Sequence, residues 1–431
     1  MTDLPTYRRP LVARLIDLLT EDGPMRLVAV TGPRQTGKTT MVLQAREELR
    51  RSGLPCWYVA VDDPTPDEQP FDTAPPDAAT PLPGRAPGPE WLVSTWSRAR
   101  AAADRSPQGL VLALDEVQRI RNWSSIVKGL WDGDRRTGCR LRVVILGSAP
   151  WAMLTGMHES LAGRFDPFPV MHWSLEEMQR AFGVTLDEYI FFGGYPGAAI
   201  HIRDATRWRG HIRYAIMDPV IDRDILSLTR VEKPSLMRAL MDLAPDYSGQ
   251  VVSYRKLQGQ LDDAGNTTTL ARYLDLLADA GLITGLQKYS AKPHLSKRST
   301  PKLNVLNTAI MTAGYAYPFG RVRDDGAFWG RLCESAVGAH LHNTLPPDRI
   351  VKLRYWRDGA REVDFVLASG RQLLAIEVKS GRRGGRTAGL EAFEDRFPGA
   401  KRLVVGTGGV PFNEFLSEPA DFWLEEAHRA R

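Results

Sequence analysis

The sequence has few cysteines and no long apolar run, and both shortages restrict the class of protein. Its 431 residues include three cysteines, Cys56, Cys139 and Cys333, at no metal-binding spacing. A disulfide framework or a zinc module is therefore not expected, and a reducing cytoplasm fits. No apolar run approaches about 18 residues, so no membrane-spanning helix is predicted. The N-terminal apolar stretch is broken by charges, which makes it a poor signal-peptide core.

The sequence also lacks a large excess of positive or negative residues. Lys and Arg number 56 against 51 Asp and Glu, a net charge of +5. Any basic surface for nucleic acid must therefore be sought locally. Hydrophobic residues make up 43% and charged residues 25%, which excludes a wholly disordered or collagen-like chain. The length predicts about two to four domains.

Short apolar runs alternate with helical patterns over the first 175 residues. The runs cover residues 27–30, 56–61, 110–114 and 143–146. Fully apolar short runs between helices predict a parallel sheet covered on both faces. Residues 62–90 interrupt this pattern with nine of the 30 prolines, which indicates a mobile loop or linker inserted in the domain.

Residues 32–39 read GPRQTGKT and match the phosphate-loop pattern G-x-x-x-x-G-K-[ST]. Glycines let the backbone wrap tightly and aim its N–H groups at phosphate oxygens, and the following helix adds its positive end. Lys38 is expected at the β- and γ-phosphates of ATP, and Thr39 at Mg²⁺. A chance match in an unrelated loop is the alternative. The predicted nucleotide-binding residues are Gly32, Pro33, Arg34, Gln35, Thr36, Gly37, Lys38, Thr39, Thr40, Asp115 and Ser148.

An acidic pair, Asp115 and Glu116, ends the third apolar run. Asp115 is expected to bind Mg²⁺ through water, and Glu116 to orient and activate the attacking water. A carboxylate pair facing solvent is the alternative. Ser148 is either a sensor of the γ-phosphate or a turn serine. Arg164 is either an arginine finger or sensor, or a surface ion-pair residue.

Four segments together resemble a large bacterial and archaeal family of AAA-type ATPases: GPRQTGKT, LDEVQRI at 114–120, GSA at 147–149 and SLAGR at 160–164. The FFGGYPGA segment at 191–198 and the C-terminal strands extend the resemblance over nearly the whole chain. The resemblance implies ATP binding by Gly37, Lys38, Thr39 and Asp115. It implies no known substrate, because the C-terminal half of this family has largely unknown function.

The middle of the chain predicts a winged helix-turn-helix over residues 233–310, after a helical connector at 176–232. Three amphipathic segments, 236–243, 254–261 and 267–280, precede two strands at 282–283 and 303–305. Residues 267–280 would be the recognition helix for DNA. Docking of a protein and sensing of nucleotide are the alternatives. The loop between the strands offers five cations to phosphate, Lys288, Lys292, Lys297, Arg298 and Lys302, and predicts a salt slope of about −4.5.

The tail contains a hairpin that is predicted to bring two carboxylates together. A two-residue turn at Gly370 and Arg371 would set Asp364 opposite Glu377 and Glu362 opposite Lys379. Two carboxylates at that spacing can share one Mg²⁺. Lys379 is expected to stabilise an attacking hydroxide or the pentavalent phosphate. Glu334, on a preceding helix, is a further candidate ligand or base.

This hairpin resembles the PD-(D/E)-x-K nuclease superfamily, which implies catalytic positions at Asp364, Glu377 and Lys379. Val363 stands where the name of the pattern has proline. The alternative is a nuclease fold retained for docking, with charges paired as in Glu362–Lys379. Three nearby arginines suit either a nucleic-acid backbone or a solvated loop: Arg382, Arg383 and Arg386.

The sequence therefore predicts an α/β protein with four parts: an AAA-type P-loop domain at 1–175, the connector, the winged helix, and a restriction-endonuclease-like domain at 311–431. One hypothesis is an ATPase that acts on DNA and cleaves it with Mg²⁺. The other is an ATP-gated switch whose C-terminal fold is an interaction module for protein or DNA. An arginine acting across a subunit boundary would make a homo-oligomer plausible, and no membrane partner is expected.

Overall fold

A computed structural model describes residues 4–21, 26–62, 87–147, 153, 161–226, 231–262, 265–292, 299–315, 318–348, 350–381 and 387–429. These residues form two compact units, 1–170 and 171–431. The three parts predicted after residue 175 thus lie within one compact unit, and their division into separate domains stays a prediction. Most of the predicted proline-rich loop, residues 63–86, lies outside the described residues, as do Ser148, Arg382, Arg383 and Arg386.

The first unit contains a five-stranded parallel sheet in the order β2-β3-β4-β1-β5. Its strands are β1 (Leu27–Thr31), β2 (Cys56–Ala60), β3 (Leu110–Asp115), β4 (Leu141–Leu146) and β5 (Phe165–Pro169). Its helices are Pro10–Thr20, Lys38–Arg51, Pro89–Arg105 and Trp123–Thr137, with a 3₁₀ turn at Val117–Arg119. The four apolar runs are thus confirmed as parallel strands.

Both faces of this sheet are buried, as fully apolar strands require. Leu27 and Ala29 of β1 belong to one apolar cluster, whereas Val28 and Val30 belong to another on the opposite face. The fifth strand was not predicted because its sequence, FDPFP, contains two prolines. It pairs with β1 alone at an edge of the sheet, where the missing N–H of proline is tolerated.

The second unit begins with helices and ends in a four-stranded sheet of order β11-β10-β9-β8. Its strands are β6 (Ile283–Leu286), β7 (Lys302–Val305), β8 (Lys352–Asp358), β9 (Arg361–Ser369), β10 (Gln372–Lys379) and β11 (Lys401–Gly406). Its α-helices are Leu175–Phe182, Leu186–Phe192, Pro196–Ala199, Ala205–Gly210, Pro234–Leu243, Tyr254–Gln258, Thr267–Asp279, Ala309–Ala313, Phe319–Asp324, Gly326–Asn343, Ala388–Arg396, Phe412–Phe415 and Ala420–Arg429. Two π-helical segments, His211–Met217 and Val220–Ile225, and a 3₁₀ turn, Ala244–Tyr247, complete it.

The elements predicted for the middle of the chain are present. The side chain of Ser253 accepts a hydrogen bond from the backbone N–H of Lys256, and that of Asn266 accepts one from Thr269, so each residue caps the helix that follows it. Strands β6 and β7 pair antiparallel. The assignment of these elements to a winged helix stays a prediction. None of the helices in the described ranges combines the length and apolar character needed to span a bilayer.

A buried histidine in the helix Gly326–Asn343 makes stability dependent on pH. His340 is 4% exposed, and its Nε2 donates a hydrogen bond to the carbonyl oxygen of Glu418 at 2.7 Å. Burial lowers the pKa of His340 from 6.5 to about 4. At pH values between these two pKa values, His340 binds a proton in the unfolded chain but not in the folded chain. Acid therefore favours unfolding. The stabilisation is complete above pH 6.5 and is lost as the pH falls.

We expect His340 to reduce the free energy of unfolding by about 1.4 kcal/mol for each pH unit between 6.5 and 4. Urea unfolding of the wild type and His340→Gln, followed at several pH values, measures this slope. The variant should lose stability less steeply on acidification, while the two proteins should run parallel above pH 7. Parallel curves throughout the acid range would show that His340 is not the group responsible.

Candidate functional site

The phosphate loop turns tightly between β1 and the helix Lys38–Arg51. Gly32 has φ +153°, and a Cβ there would clash with the carbonyl oxygen of Val170. Gln35 and Gly37 also have positive φ, at 59° and 84°. Left-handed residues set among right-handed ones turn neighbouring backbone N–H groups to one side and form a nest, a concavity that binds phosphate. The structure thus brings the predicted residues 32–40 together at the end of β1.

Lys38 points back into this loop. Its Nζ donates to the carbonyl oxygens of Gly32 at 2.9 Å and Pro33 at 2.6 Å, and the residue is 7% exposed. Thr36 Oγ1 also donates to Pro33 O, and Arg9 donates to Thr36 O. An ammonium group on a buried loop has few groups to bind other than carbonyls and anions. The position of Lys38 therefore suits a negative ligand held within the loop.

The predicted Mg²⁺ residues meet at the end of β3. Thr39 Oγ1 donates to Asp115 Oδ2 at 2.9 Å, and Tyr58 of the neighbouring β2 donates to the same oxygen at 2.6 Å. Burial raises the pKa of Asp115, and the hydrogen bonds from Tyr58 and Thr39 oppose that rise. Adjacent oxygen ligands of octahedral Mg²⁺ lie about 3 Å apart. The Thr39–Asp115 spacing therefore fits a shared Mg²⁺.

Tyr58 was not predicted as a site residue. It lies in the middle of β2, within an apolar run, and a single sequence carries no signal that its hydroxyl reaches Asp115. Burial raises the pKa of Tyr58, and the nearby Asp115 carboxylate raises it further, so the phenol remains a hydrogen-bond donor. Tyr58 thus orients the Asp115 carboxylate from the neighbouring strand.

Glu116 follows Asp115 in a left-handed conformation, with φ 55°. Its Oε2 accepts a hydrogen bond from Gln118 Nε2 at 2.7 Å, and Arg119 Nε lies 3.5 Å away. Gln118 also touches Gly147 at the end of β4, where a Cβ would clash with its amide. Gln118 therefore connects the carboxylate of Glu116 with the strand that precedes Ser148, although Ser148 itself lies outside the described residues.

Arg164 forms a surface ion pair. Its Nε and Nη2 bind the two carboxylate oxygens of Asp132 at 2.9 and 3.2 Å, and the side chain is 31% exposed. This is the geometry of the ion-pair alternative. The arginine-finger role stays a prediction.

In the second unit, the hairpin that carries Asp364 and Glu377 has the predicted register. Gly370 has φ 57°, and Ser369 pairs with Gln372. The ladder of paired residues runs to Phe365 and Ile376. Beyond this pair, a side chain takes the place of a backbone carbonyl as the hydrogen-bond acceptor. The N–H of Val378 donates to Asp364 Oδ2 at 2.8 Å. The predicted turn is confirmed, but Asp364 uses one oxygen within the hairpin.

The position of Lys302 corrects one prediction. Instead of presenting a cation to DNA phosphate, Lys302 is fully buried, and its Nζ lies 2.7 Å from Glu334, 3.1 Å from Glu362 and 3.3 Å from Asp364. Burial alone would lower the pKa of Lys302, but attraction to the three carboxylates outweighs burial and raises it. Glu334 thus faces an ammonium group, and Lys302 is removed from the set of five loop cations.

Lys379, at the end of β10, binds the remaining carboxylate, that of Glu377. Lys379 Nζ donates to Glu377 Oε1 at 2.6 Å. The pairing Glu362–Lys379, considered from the sequence, is therefore wrong, because Glu362 contacts Lys302 and Lys379 contacts Glu377. Glu377 Oε2 is buried and has no hydrogen-bond partner among the described residues. Burial, and after it the charge of Asp364, raise the pKa of Glu377 against the effect of Lys379.

These carboxylates do not form the predicted Mg²⁺ site in this arrangement. Lys302 lies between Glu334 and Asp364, two of the three predicted ligands. Over the residues that the structure describes, no group of three or more His, Cys, Asp or Glu side chains could hold a metal ion. The residues fit an internal ammonium group rather than a divalent cation.

The helix predicted to read DNA, Thr267–Asp279, has a mixed exposed face. The exposed positions include Arg272 but also Asp275 and Asp279, so this part of the face has more negative than positive charge. Phosphate repels such a surface. Of the loop cations, Lys292 is exposed and Lys288 is half-buried, whereas Lys297 and Arg298 lie outside the described residues.

Comparison with known proteins identifies three regions. Residues 25–179 match the model of an AAA domain, and residues 184–315 and 329–414 match two domains of unknown function, DUF8612 and DUF4143. No curated protein matches the chain at a significant level. The AAA match and the phosphate-loop geometry agree. Residues 25–179 are an AAA-type P-loop ATPase domain.

Solved structures show weak similarity. A structure that describes the self-assembly of katanin shares 18% sequence identity over 40% of this chain and 49% of its own, with a TM-score of 0.25. RuvB of Thermotoga maritima, a Holliday junction branch migration motor, shares 13% over 64% of this chain and 88% of its own, with a TM-score of 0.30. Orc1 of Aeropyrum pernix, in complex with DNA, shares 12% sequence identity over 74% of this chain and 95% of its own, with a TM-score of 0.30. Scores this low do not support conclusions about activity.

Proposed function

We propose that the first unit binds ATP with Mg²⁺ and hydrolyses it. The observation that carries the proposal is the contact of Thr39 with Asp115 at 2.9 Å, beside the loop that encloses Lys38. A hydroxyl and a carboxylate at this spacing suit Mg²⁺, and a buried ammonium suits phosphate. Few ligands other than a nucleotide with Mg²⁺ require a hydroxyl–carboxylate pair and a buried ammonium together at the end of one parallel sheet.

Each side chain has a separate task in this proposal. Lys38 exchanges its two loop carbonyls for β- and γ-phosphate oxygens. Thr39 and Asp115 would hold Mg²⁺, which neutralises charge that develops on the phosphates. Tyr58 keeps the Asp115 carboxylate turned toward Thr39. Glu116 orients the attacking water and takes its proton, because a carboxylate is the nearest base that follows β3.

Removal of Mg²⁺ or of its proposed ligand should stop turnover. We expect the full chain to release phosphate from ATP with Mg²⁺ but not with excess EDTA, and Thr39→Ala to lower turnover roughly 10–100-fold. Thr20→Ala is the matched control, because it removes a hydroxyl at the exposed end of the helix Pro10–Thr20, where Thr20 Oγ1 donates to Ile16 O. Turnover that persists in EDTA, or that falls equally in both variants, would contradict the proposed role of Thr39.

We propose further that ATP turnover controls the second unit, with DNA as its partner through the loop around Lys288 and Lys292. The charge pairing in the hairpin favours a switch over a nuclease, because Lys302 and Lys379 already bind the carboxylates expected to hold metal. Cleavage of DNA stays the second candidate. It is favoured by Glu377 Oε2, a buried oxygen without a hydrogen-bond partner among the described residues.

Incubation of plasmid DNA with the full chain and Mg²⁺ or Mn²⁺ separates the two functions. A switch predicts retarded but intact DNA. Cleavage that Glu377→Ala abolishes would support the nuclease and contradict the switch, whereas cleavage that survives the substitution would point to a contaminant. A homo-oligomer is compatible with either function.

A further inference from the structure

Lys302 is the only described lysine whose side chain is fully buried among carboxylates from separate elements. Glu334 comes from the helix Gly326–Asn343, and Glu362 and Asp364 come from β9. The ammonium also lies 5.3 Å from the centre of the Phe365 ring, within the range of a cation–π contact. A cation is thus built into the cluster by the polypeptide itself.

The backbone around Lys302 holds this cation in place. Lys302 pairs with Leu286 of β6 and forms a bridge with Val251. On its N-terminal side, Tyr355 donates a hydrogen bond to Thr300 O, and the N–H of Val252 donates to Pro301 O at 3.1 Å. Withdrawal of Lys302 therefore requires these contacts to break or β7 to shift.

The charges of the cluster do not balance. Glu334, Glu362, Asp364 and Glu377 are four carboxylates, and three cations face them: Lys302, Lys379 and Arg357, whose Nε lies 3.9 Å from Glu362. Uncompensated buried charge is costly, and removal of one partner makes it more so. A cluster with this excess would attract a further cation if the space held by Lys302 became available.

We propose that Lys302 is the resident cation of this cluster and excludes a divalent cation from Asp364 and Glu377. The ammonium lies between Glu334 and Asp364, and its charge also acts on Glu377. Loss of Lys302 then converts the cluster into a divalent-cation site. The inference rests on the switch version of the proposed function, in which the native hairpin works without a metal.

Binding of Mn²⁺ to the EDTA-treated full chain, followed by the electron paramagnetic resonance of free Mn²⁺, tests this. We expect Lys302→Met to bind one Mn²⁺ more than the wild type, roughly tenfold or more tightly than any site of the wild-type cluster. Lys302→Met/Glu377→Gln should lose that additional ion. Lys352→Met, an exposed lysine of β8, is the matched control and should bind as the wild type does.

Thermal unfolding gives a second readout. Mn²⁺ should raise the Tm of Lys302→Met more than that of the wild type, because an ion that binds only the folded chain stabilises it. If Lys302→Met does not fold in EDTA, Lys302→Met/Glu334→Gln removes one charge of each sign and should gain the ion at Asp364 and Glu377. A folded variant with no additional Mn²⁺ would overturn the inference.

Three outcomes separate this inference from the proposed function. If the wild type binds Mn²⁺ at the cluster as tightly as Lys302→Met, the resident-cation role is wrong, whether or not ATP is hydrolysed. If the wild type cleaves DNA with Mn²⁺, the switch is wrong. Absence of ATP turnover contradicts the function of the first unit and leaves the Mn²⁺ measurement unaffected.

Discussion

Replacement of Glu116 by glutamine is expected to slow ATP hydrolysis about 100-fold or more while ATP affinity stays within about twofold. Glutamine has the shape of glutamate but cannot accept the proton of the attacking water. The side chain lies after β3, and its contact with Gln118 can be kept by an amide. Phosphate release and equilibrium binding of a fluorescent ATP analogue, measured on the same preparation, separate the two effects.

Glu48→Gln is the matched control, because it makes the same chemical change on the helix Lys38–Arg51. Glu48 pairs with Arg8 at the surface and has no contact with the loop among the described residues. Its turnover should equal that of the wild type. Normal hydrolysis by Glu116→Gln would remove Glu116 from the role of base. A matching loss of ATP affinity would make it a binding residue instead.

Replacement of Lys38 by alanine is expected to weaken ATP binding by about 2 kcal/mol or more, roughly 30-fold. The phosphates would lose a buried, charged donor, and the loop would lose the two hydrogen bonds to Gly32 O and Pro33 O. Titration of ATP by calorimetry measures the affinity. Turnover should fall at least as far, because the same ammonium acts on charge that grows during the reaction.

A second substitution distinguishes lost charge from lost packing at this position. Lys38→Met keeps the length of the side chain and removes the charge, so it should bind ATP as poorly as Lys38→Ala. Unchanged Tm values in both variants would assign the loss to the ligand rather than to the fold. Wild-type affinity in Lys38→Met would show that the ammonium is not a phosphate ligand.

The sequence predicted the parts of both sites that lie close together along the chain. The phosphate loop is one continuous segment, and its glycines determine its backbone. The pairing of Asp364 with the strand of Glu377 followed from a two-residue turn, because a known turn fixes the register of every later pair. Local geometry of this kind needs no information from distant residues.

Contacts between distant residues escaped prediction. Lys302 meets Glu362 across 60 positions, and Tyr58 meets Asp115 across 57. The residues next to Lys302 and Tyr58 in the sequence give no indication of these distant partners. In a loop with other cations, Lys302 had the appearance of a solvent-exposed residue, and only tertiary packing decides that it turns inward. The end of the β9–β10 ladder at Phe365 was missed for the same reason, since it depends on the Asp364 side chain.

The burial of Lys302 has a practical consequence for dissection of the chain. A fragment that began near residue 311, at the boundary expected from the sequence, would contain Glu334, Glu362 and Asp364 but not their shared counter-ion. Its folded form would carry three mutually repelling acids in its interior. An independently expressed tail should therefore begin before β6, so that the lysine is made together with the acids that it neutralises.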